Sequence, residues 1–162
     1  LGMQQIDAYK RLVAPYLGIT EVREVRAGMR LNEWTTVQHP FEAGTGENED
    51  SVALLVNVGP KQLMMTGDLD QAGEENNQCR QVELLKLGHH GSKTSTAQSF
   101  VHALKPQIGI VSAGVNNRFG HPNKETLSTT KEAGMTVFNT AENGMLQYHW
   151  RGNRDWWQAE IK

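Results

Sequence analysis

Apolar and polar positions alternate along this chain in short, sharply bounded blocks. In "IDAYKRLVAPY", Ile6, Tyr9, Leu12, Val13 and Tyr16 fall at helical spacing. That predicts an N-terminal helix with one apolar face, ended by Pro15 and Gly18. "EVREVRAGMRL" alternates apolar with charged residues and predicts a strand with a turn at Ala27-Gly28. "EWTTVQHP" predicts a second short strand running up to Pro40, and the polar, Gly-rich "FEAGTGENED" a loop.

The signal strengthens further on. "SVALLVNV", residues 51–58, is nearly continuous apolar and predicts a buried strand. Gly59-Pro60 is a turn, and "QLMMTGD" the partner strand of a hairpin that ends at Asp68. "LDQAGEENNQ" reads as a short polar helix or loop, and "VELLKLG" as another buried strand that runs into a histidine pair. "STAQSFVHALKP" predicts a helix capped by Ser95, with Phe100, Val101 and Leu104 inward and Pro106 beyond its end. "QIGIVSAG" is a strand, "VNNRFGHP" a loop and "NKETLSTTKEAG" a helix closed by Gly134. "MTVFNT" is a strand, "AENG" a hairpin turn and "MLQYHW" a closing strand. Strands first, then strand–helix alternation, then a hairpin indicate a mixed α/β fold with helices covering sheets.

Composition narrows the function classes. The 162 residues suit one domain or a large piece of one, and the hydrophobic fraction of 38% supports a modest core. The net charge of −2 shows no basic excess, so any DNA contact must be local. A single cysteine, Cys79, excludes a disulfide framework and a multi-Cys zinc site. No apolar run approaches the roughly 20 residues of a membrane span. The chain starts "LGMQQIDAYK", without an initiator Met or a signal-peptide pattern, and is expected to be a fragment of a longer protein.

Three polar clusters sit at the ends of apolar strands, where a rigid scaffold presents functional groups. Asp68 in "TGD" is placed either to bind metal or to cap turn N–H groups. In "GHHGS", Gly88 and Gly91 bracket His89 and His90. Neighbouring side chains of an extended segment point to opposite sides, so one histidine is expected to face a cleft and the other to pack or brace it. Imidazole suits zinc or manganese, although an isolated pair is more often structural. Ser92 and Lys93 are candidates for holding a phosphate. In "NNRFGHP", Arg118 and His121 are charge-assisted donors and Phe119 a flat stacking surface, against the alternative of a polar turn. His39, His102 and His149 receive no role. Trp156 and Trp157 suit an aromatic DNA or membrane contact, but at a C-terminus such residues more often pack onto the domain.

Together the stretches "NEDSVALLV", "LMMTGDLDQAGE", "LLKLGHHGSKTS", "ALKPQIGIVSAGVNNRFGHP" and "NTAENGMLQYHW" resemble the metallo-β-lactamase superfamily. More narrowly, they resemble the C-terminal domain of ComEC-type DNA-uptake competence proteins. The resemblance covers residues 48–150 of a single partial domain spanning 1–162, with residues 1–47 divergent. It implies an αββα sandwich with a metal site at the rim of the sheets. Asp68 matches the bridging aspartate, and one of His89 and His90 the late metal histidine. Asn117, Arg118 and His121 match a loop of the ComEC-type branch, and Ser51 a serine that opens the strand before the aspartate.

The implied chemistry is hydrolysis assisted by zinc or manganese, in which the metal lowers the pKa of bound water to about 7. Asp68, His89, His90 and His121 would be catalytic, with Ser92, Lys93, Asn117 and Arg118 on the substrate. The implied substrate is the DNA strand that does not enter the cell. The parent protein would lie in the cell membrane with this domain outside the cytoplasm, so DNA and the transmembrane remainder of the same polypeptide are the implied partners. The superfamily's His-x-His-x-Asp-His motif is absent, and His39 is the only histidine before residue 47. The expectation is therefore a soluble, inactive second half that binds metal weakly or not at all, with an exposed sheet edge inviting homo-oligomers. The alternatives are a non-catalytic DNA-guiding or structural module on the same fold, or another hydrolase of the superfamily such as a phosphorylcholine esterase, against which "NNRFGHP" argues.

Overall fold

The apolar runs become the strands of one central sheet. This computed structural model describes residues 7–42, 44, 47–77 and 81–160; Ile6, Cys79 and the side chain of Tyr9 lie outside that part. Helix α1 (Asp7–Val13) precedes β1 (Thr35–His39), β2 (Ala53–Val58) and β3 (Lys61–Met65). Then α2 (Gln71–Glu75), β4 (Leu84–Lys86), α3 (Gln98–Leu104), β5 (Ile108–Val111), α4 (Lys124–Glu132) and β6 (Thr136–Asn139) alternate. The six strands lie in chain order in one sheet, antiparallel from β1 to β3 and parallel from β3 to β6. The architecture is mixed α/β, as the pattern implied.

Strand alternation decides what each face buries. Leu55, Met64, Leu85, Gly109 and Val137 are register neighbours on one face. Phe100, Val101 and Leu104 of α3 pack against this face in a single core with Leu87, Val111 and Met135. Each such buried side chain contributes about 1.5–3 kcal/mol. Gly109 has no room for a larger residue, since a Cβ there would stand 2.8 Å from Leu87 Cδ1 and 2.9 Å from Met135 Cε.

A short helix α5 (Thr140–Asn143) leads to a separate two-stranded ribbon of β7 (Met145–Arg151) and β8 (Arg154–Glu160). The two-residue turn Gly152-Asn153, with Gly152 at φ +59°, suits a hairpin. The ribbon contacts the other face of the large sheet. Trp157 stacks on Phe138 with ring centroids 5.6 Å apart, Trp150 lies over Gly59, and Lys61 Nζ meets Asp155 Oδ2 at 3.3 Å.

Several sequence expectations are corrected. The alternating segment 21–31 forms no strand; it makes isolated bridges at Val25 and from Arg30 to Thr36, and irregular backbone bonds to β1 such as Val37 N–H to Met29 O. The turn at Ala27-Gly28 interrupts the pleat there, with Gly28 at φ +88°. Val13 of the N-terminal helix is buried, but Leu12 and Tyr16 are exposed, because periodicity specifies a stripe and not its cover. Ser95 does not cap α3. It donates to Leu69 O, while the Glu74 carboxylate accepts from Ala97 N–H at the helix start. "AENG" is a helical turn, not a hairpin turn, and the strand after it pairs with β8, a strand the pattern did not predict. No helix among the described residues is long and apolar enough to cross a membrane.

Candidate functional site

Three strand ends of the parallel half of the sheet, those of β3, β4 and β5, carry the candidate residues. After β3 the chain turns through Thr66, Gly67 and Asp68, with Gly67 at φ +62°. A Cβ on Gly67 would stand 3.0 Å from Ser51 Cβ, so Ser51 closes directly on this turn. Asp68 N–H donates to Ser51 Oγ at 3.1 Å, and His39 Nδ1 lies 3.0 Å from Ser51 O. Ser51 thus ties the entry to β2 to the aspartate turn.

After β4 the chain forms a tight turn over Gly88–Gly91. His89 N–H donates to Gly67 O at 2.9 Å and draws this turn onto the aspartate turn. His89 (φ 45°, ψ 48°) and His90 (φ 58°, ψ 20°) are both left-handed, so the extended geometry expected for the pair is wrong. Such conformations cost about 1–3 kcal/mol each and persist where the surroundings impose them. Here a second loop imposes them. Gly91, at φ +84°, is so close to Pro122 that a Cβ would stand 2.7 Å from Pro122 Cβ, and Asn123 N–H donates to Gly91 O at 2.9 Å.

The two loops bring three imidazoles together. The His89 ring centroid lies 6.3 Å from that of His90 and 5.8 Å from that of His121. His90 Nδ1 is 2.7 Å from Ser112 O. A carbonyl only accepts, so Nδ1 carries a proton. The Nδ1 atoms of His89 and His121 are buried and, among the described residues, have no hydrogen-bond partner. Burial holds the His121 pKa below the ordinary value, helped by the neighbouring His89 and His90 and opposed by Asn123 and Asp68.

The remaining candidates divide between building the loops and facing solvent. The Asn117 side chain accepts from His121 N–H at 2.9 Å and donates to His121 O at 2.7 Å and Gly114 O at 3.0 Å, so it clamps its own loop. Phe119 stacks on His121 at 5.7 Å, and the Arg118 guanidinium sits 4.7 Å from the Phe119 ring centroid. Ser92 is buried; its Oγ is 3.0 Å from Thr94 Oγ1 and its carbonyl accepts from Thr126 Oγ1. Lys93 is exposed, and its backbone N–H donates to Asn123 Oδ1. A cavity of about 470 Å³ opens beside the histidines, lined in part by His90, Ser112, Asn117, Phe119 and His121.

Lys86 was missed by the sequence pattern. It is half-buried at the end of β4, donates to Leu87 O at 3.0 Å, and lies within electrostatic reach of Asp68. Burial lowers its pKa and the Asp68 charge opposes that shift. Its only signal in the sequence is a charge inside an otherwise apolar strand.

Among the described residues, no group of three or more His, Cys, Asp or Glu side chains is placed to hold a metal ion. The unpartnered imidazole nitrogens suit a metal, but these donors fall short of the four ligands a zinc site usually has.

No protein-family model matches the chain. Curated relatives do. ComE operon protein 3 of Bacillus subtilis (strain 168) is 37% identical over 109 residues, which cover 65% of this chain and 14% of that protein. Competence protein ComA of Neisseria gonorrhoeae is 36% identical over 109 residues, 63% of this chain and 16% of that protein. Recombination protein 2 of Haemophilus influenzae is 28% identical over 110 residues, 67% of this chain and 14% of that protein. The matched stretch is thus a small fraction of each relative's length. These relatives are ComEC-type competence proteins, and over about 65% of its length this chain is homologous to them.

Proposed function

We propose that this chain is part of a DNA-uptake protein of natural transformation, and that its histidine cleft receives a phosphodiester of the strand that is not imported, for hydrolysis. The competence relatives support the process, and one observation supports the site. His89, His90 and His121 converge from two loops beside the Asp68 turn, and two of them have buried, unpartnered Nδ1 atoms. Unsatisfied buried nitrogens are costly unless a ligand or proton meets them. Arg118 and Phe119 at the mouth supply a phosphate donor and a stacking surface. The reading places the domain outside the cytoplasm, attached to the membrane-spanning remainder of its polypeptide. It also makes the six-stranded sheet one half of an αββα sandwich, in keeping with α3 packed on one face of the sheet and the β7–β8 ribbon on the other.

Zinc or manganese is the cofactor this reading calls for. Among the described residues the donors do not complete a ligand set, so this reading calls for further ligands, and no step is derived through the metal. By calorimetry the chain alone is expected to bind zinc or manganese weakly or not at all; sub-micromolar affinity would overturn that. The full-length protein is expected to cut single-stranded DNA in a metal-dependent way. Asp68→Ala and His90→Ala should each cost about 100-fold or more. Equal cleavage by wild type and both variants sinks the hydrolytic reading.

A non-catalytic DNA-guiding role is the second reading. The Arg118–Phe119 pair at the mouth of the cleft favours it. It predicts DNA binding without cleavage, weakened on Arg118→Ala and kept on Asp68→Ala.

A further inference from the structure

The sequence "HWRGNRDWW" joins three tryptophans, a histidine and two arginines around one tight turn, and the cleft uses none of them. The hairpin sorts them by face. In the β7–β8 register, Tyr148 pairs with Trp157 and Trp150 with Asp155, and these residues face the large sheet. His149 pairs with Trp156, Arg151 with Arg154 and Gln147 with Gln158, on the opposite, outward face. The two adjacent tryptophans therefore have different fates. Trp157 is packed between Phe138 and Tyr148, while Trp156 stacks only on His149, at 5.2 Å and 10° between planes, and remains 49% exposed.

Among the described residues, nothing offsets the like charge of the two arginines. Like charges directly opposite across a ladder destabilise it. Arg151 and Arg154 are such a pair, both are exposed, and among the described residues neither side chain has an ion-pair or hydrogen-bonding partner. The nearby Asp155 points to the other face and pairs with Lys61. Glu160, on the outward face, is about 20 Å away along the strand. An anion seated between the guanidiniums removes the repulsion and satisfies a bidentate donor set.

We propose that the outward face of the β7–β8 hairpin binds single-stranded nucleic acid. Arg151 and Arg154 hold phosphate, Trp156 on its His149 support stacks a base, and Gln147 and Gln158 extend the track. A positively charged line with an exposed aromatic platform is the chemistry of strand binding without sequence preference. A lipid surface fits less well, because Trp156 and Met145 are the only large apolar side chains on this face. The surface lies on the hairpin and not in the histidine cleft, so the proposal does not depend on hydrolysis there.

The test is fluorescence anisotropy of a labelled oligo(dT) of about twenty nucleotides with this chain in EDTA, where metal-dependent cleavage is suppressed. Wild type is expected to bind, more weakly as salt rises from about 50 to about 200 mM. Trp156→Ala should weaken binding about 5- to 150-fold. The double variant Arg151→Gln/Arg154→Gln should flatten the slope of log affinity against log salt by about 1.4, at about 0.7 per lost phosphate contact. An abasic tract of the same length should bind wild type as weakly as oligo(dT) binds Trp156→Ala. Circular dichroism confirms that the variants are folded, which these exposed positions should allow. No salt-dependent binding, variants that bind like wild type, or capture by phosphatidylserine vesicles without capture of the oligonucleotide each overturn the proposal. Loss of cleavage on Asp68→Ala with this binding intact separates the failure of one reading from that of the other.

Discussion

The turn Gly88–Gly91 divides two polar environments built in opposite ways. On its outer side, His89 and His90 take strained left-handed conformations, meet His121 and line open space. On its inner side, Glu74 is 1% exposed and Thr66 is fully buried. Among the described residues their Oε1 and Oγ1 atoms have no partner, and they press on Gly88, where a Cβ would stand 2.9 Å and 3.0 Å from them. Glu74 Oε2 accepts from Ala97 N–H at 2.8 Å. Burial pushes the Glu74 carboxyl up to about 7, aided by the Asp70 and Glu75 charges and opposed by the backbone bonds. His90 is exposed and lines the cleft, so the outer side borders open space even though the unpartnered Nδ1 atoms of His89 and His121 are themselves buried. Glu74 and Thr66 are buried throughout, so a proton meets the need there: a protonated carboxyl becomes a donor. One side stores strain where chemistry is proposed, and the other secures the turn from behind.

The comparison breaks most severely at Gly91. Gly91→Ala forces a left-handed alanine against Pro122, whose Cα would be 3.1 Å away. The expected loss is about 4 kcal/mol in chemical denaturation. A loss under about 1 kcal/mol would show that the two loops are not locked together.

A smaller effect isolates the inner side. Between pH 4.5 and about 7 the folded chain keeps a Glu74 proton that the unfolded chain releases. Stability therefore falls as pH rises through that window, by about 3 kcal/mol in all, and levels off above it. Glu74→Gln holds the neutral form and should flatten this dependence. Urea midpoints at about pH 5 and about pH 8 check it, and a variant as pH-sensitive as wild type would remove Glu74 as the cause.

The smallest effect touches the outer side alone. Ser51→Ala removes the acceptor of Asp68 N–H and should cost about 1 kcal/mol. Amide exchange at Asp68 should rise while the Glu74-linked pH dependence stays. Unchanged exchange would mean that Ser51 does not hold the aspartate turn.

Much of the central sheet was legible in the sequence. Continuous apolar runs bounded by Gly and Pro predicted the β2–β3 hairpin and the parallel strands, since burial on both faces removes polar residues from such segments. The inward face of α3 was legible for the same reason, and Phe100, Val101 and Leu104 are buried. Segment 21–31 alternates like a strand, but alternation marks faces and not partners. Glu74 reads as one more solvated charge in "AGEEN" and becomes a buried carboxyl only because α2 lies beside the start of α3. The conformation of the histidine pair was not legible, because left-handed backbone at His89 and His90 is imposed by the docking of Pro122 on Gly91.

By itself the sequence determined the order of the strands of the central sheet, the mixed α/β class and the polar residues that end its parallel strands, because local periodicity records which side chains leave water. Only the tertiary structure decided that His121 joins His89 and His90, that Lys86 lies near Asp68, and that Trp156 faces outward while Trp157 is packed. These relations depend on strand order, on loops that dock across some thirty residues of chain and on the ribbon's register, and no local pattern encodes a distance through space.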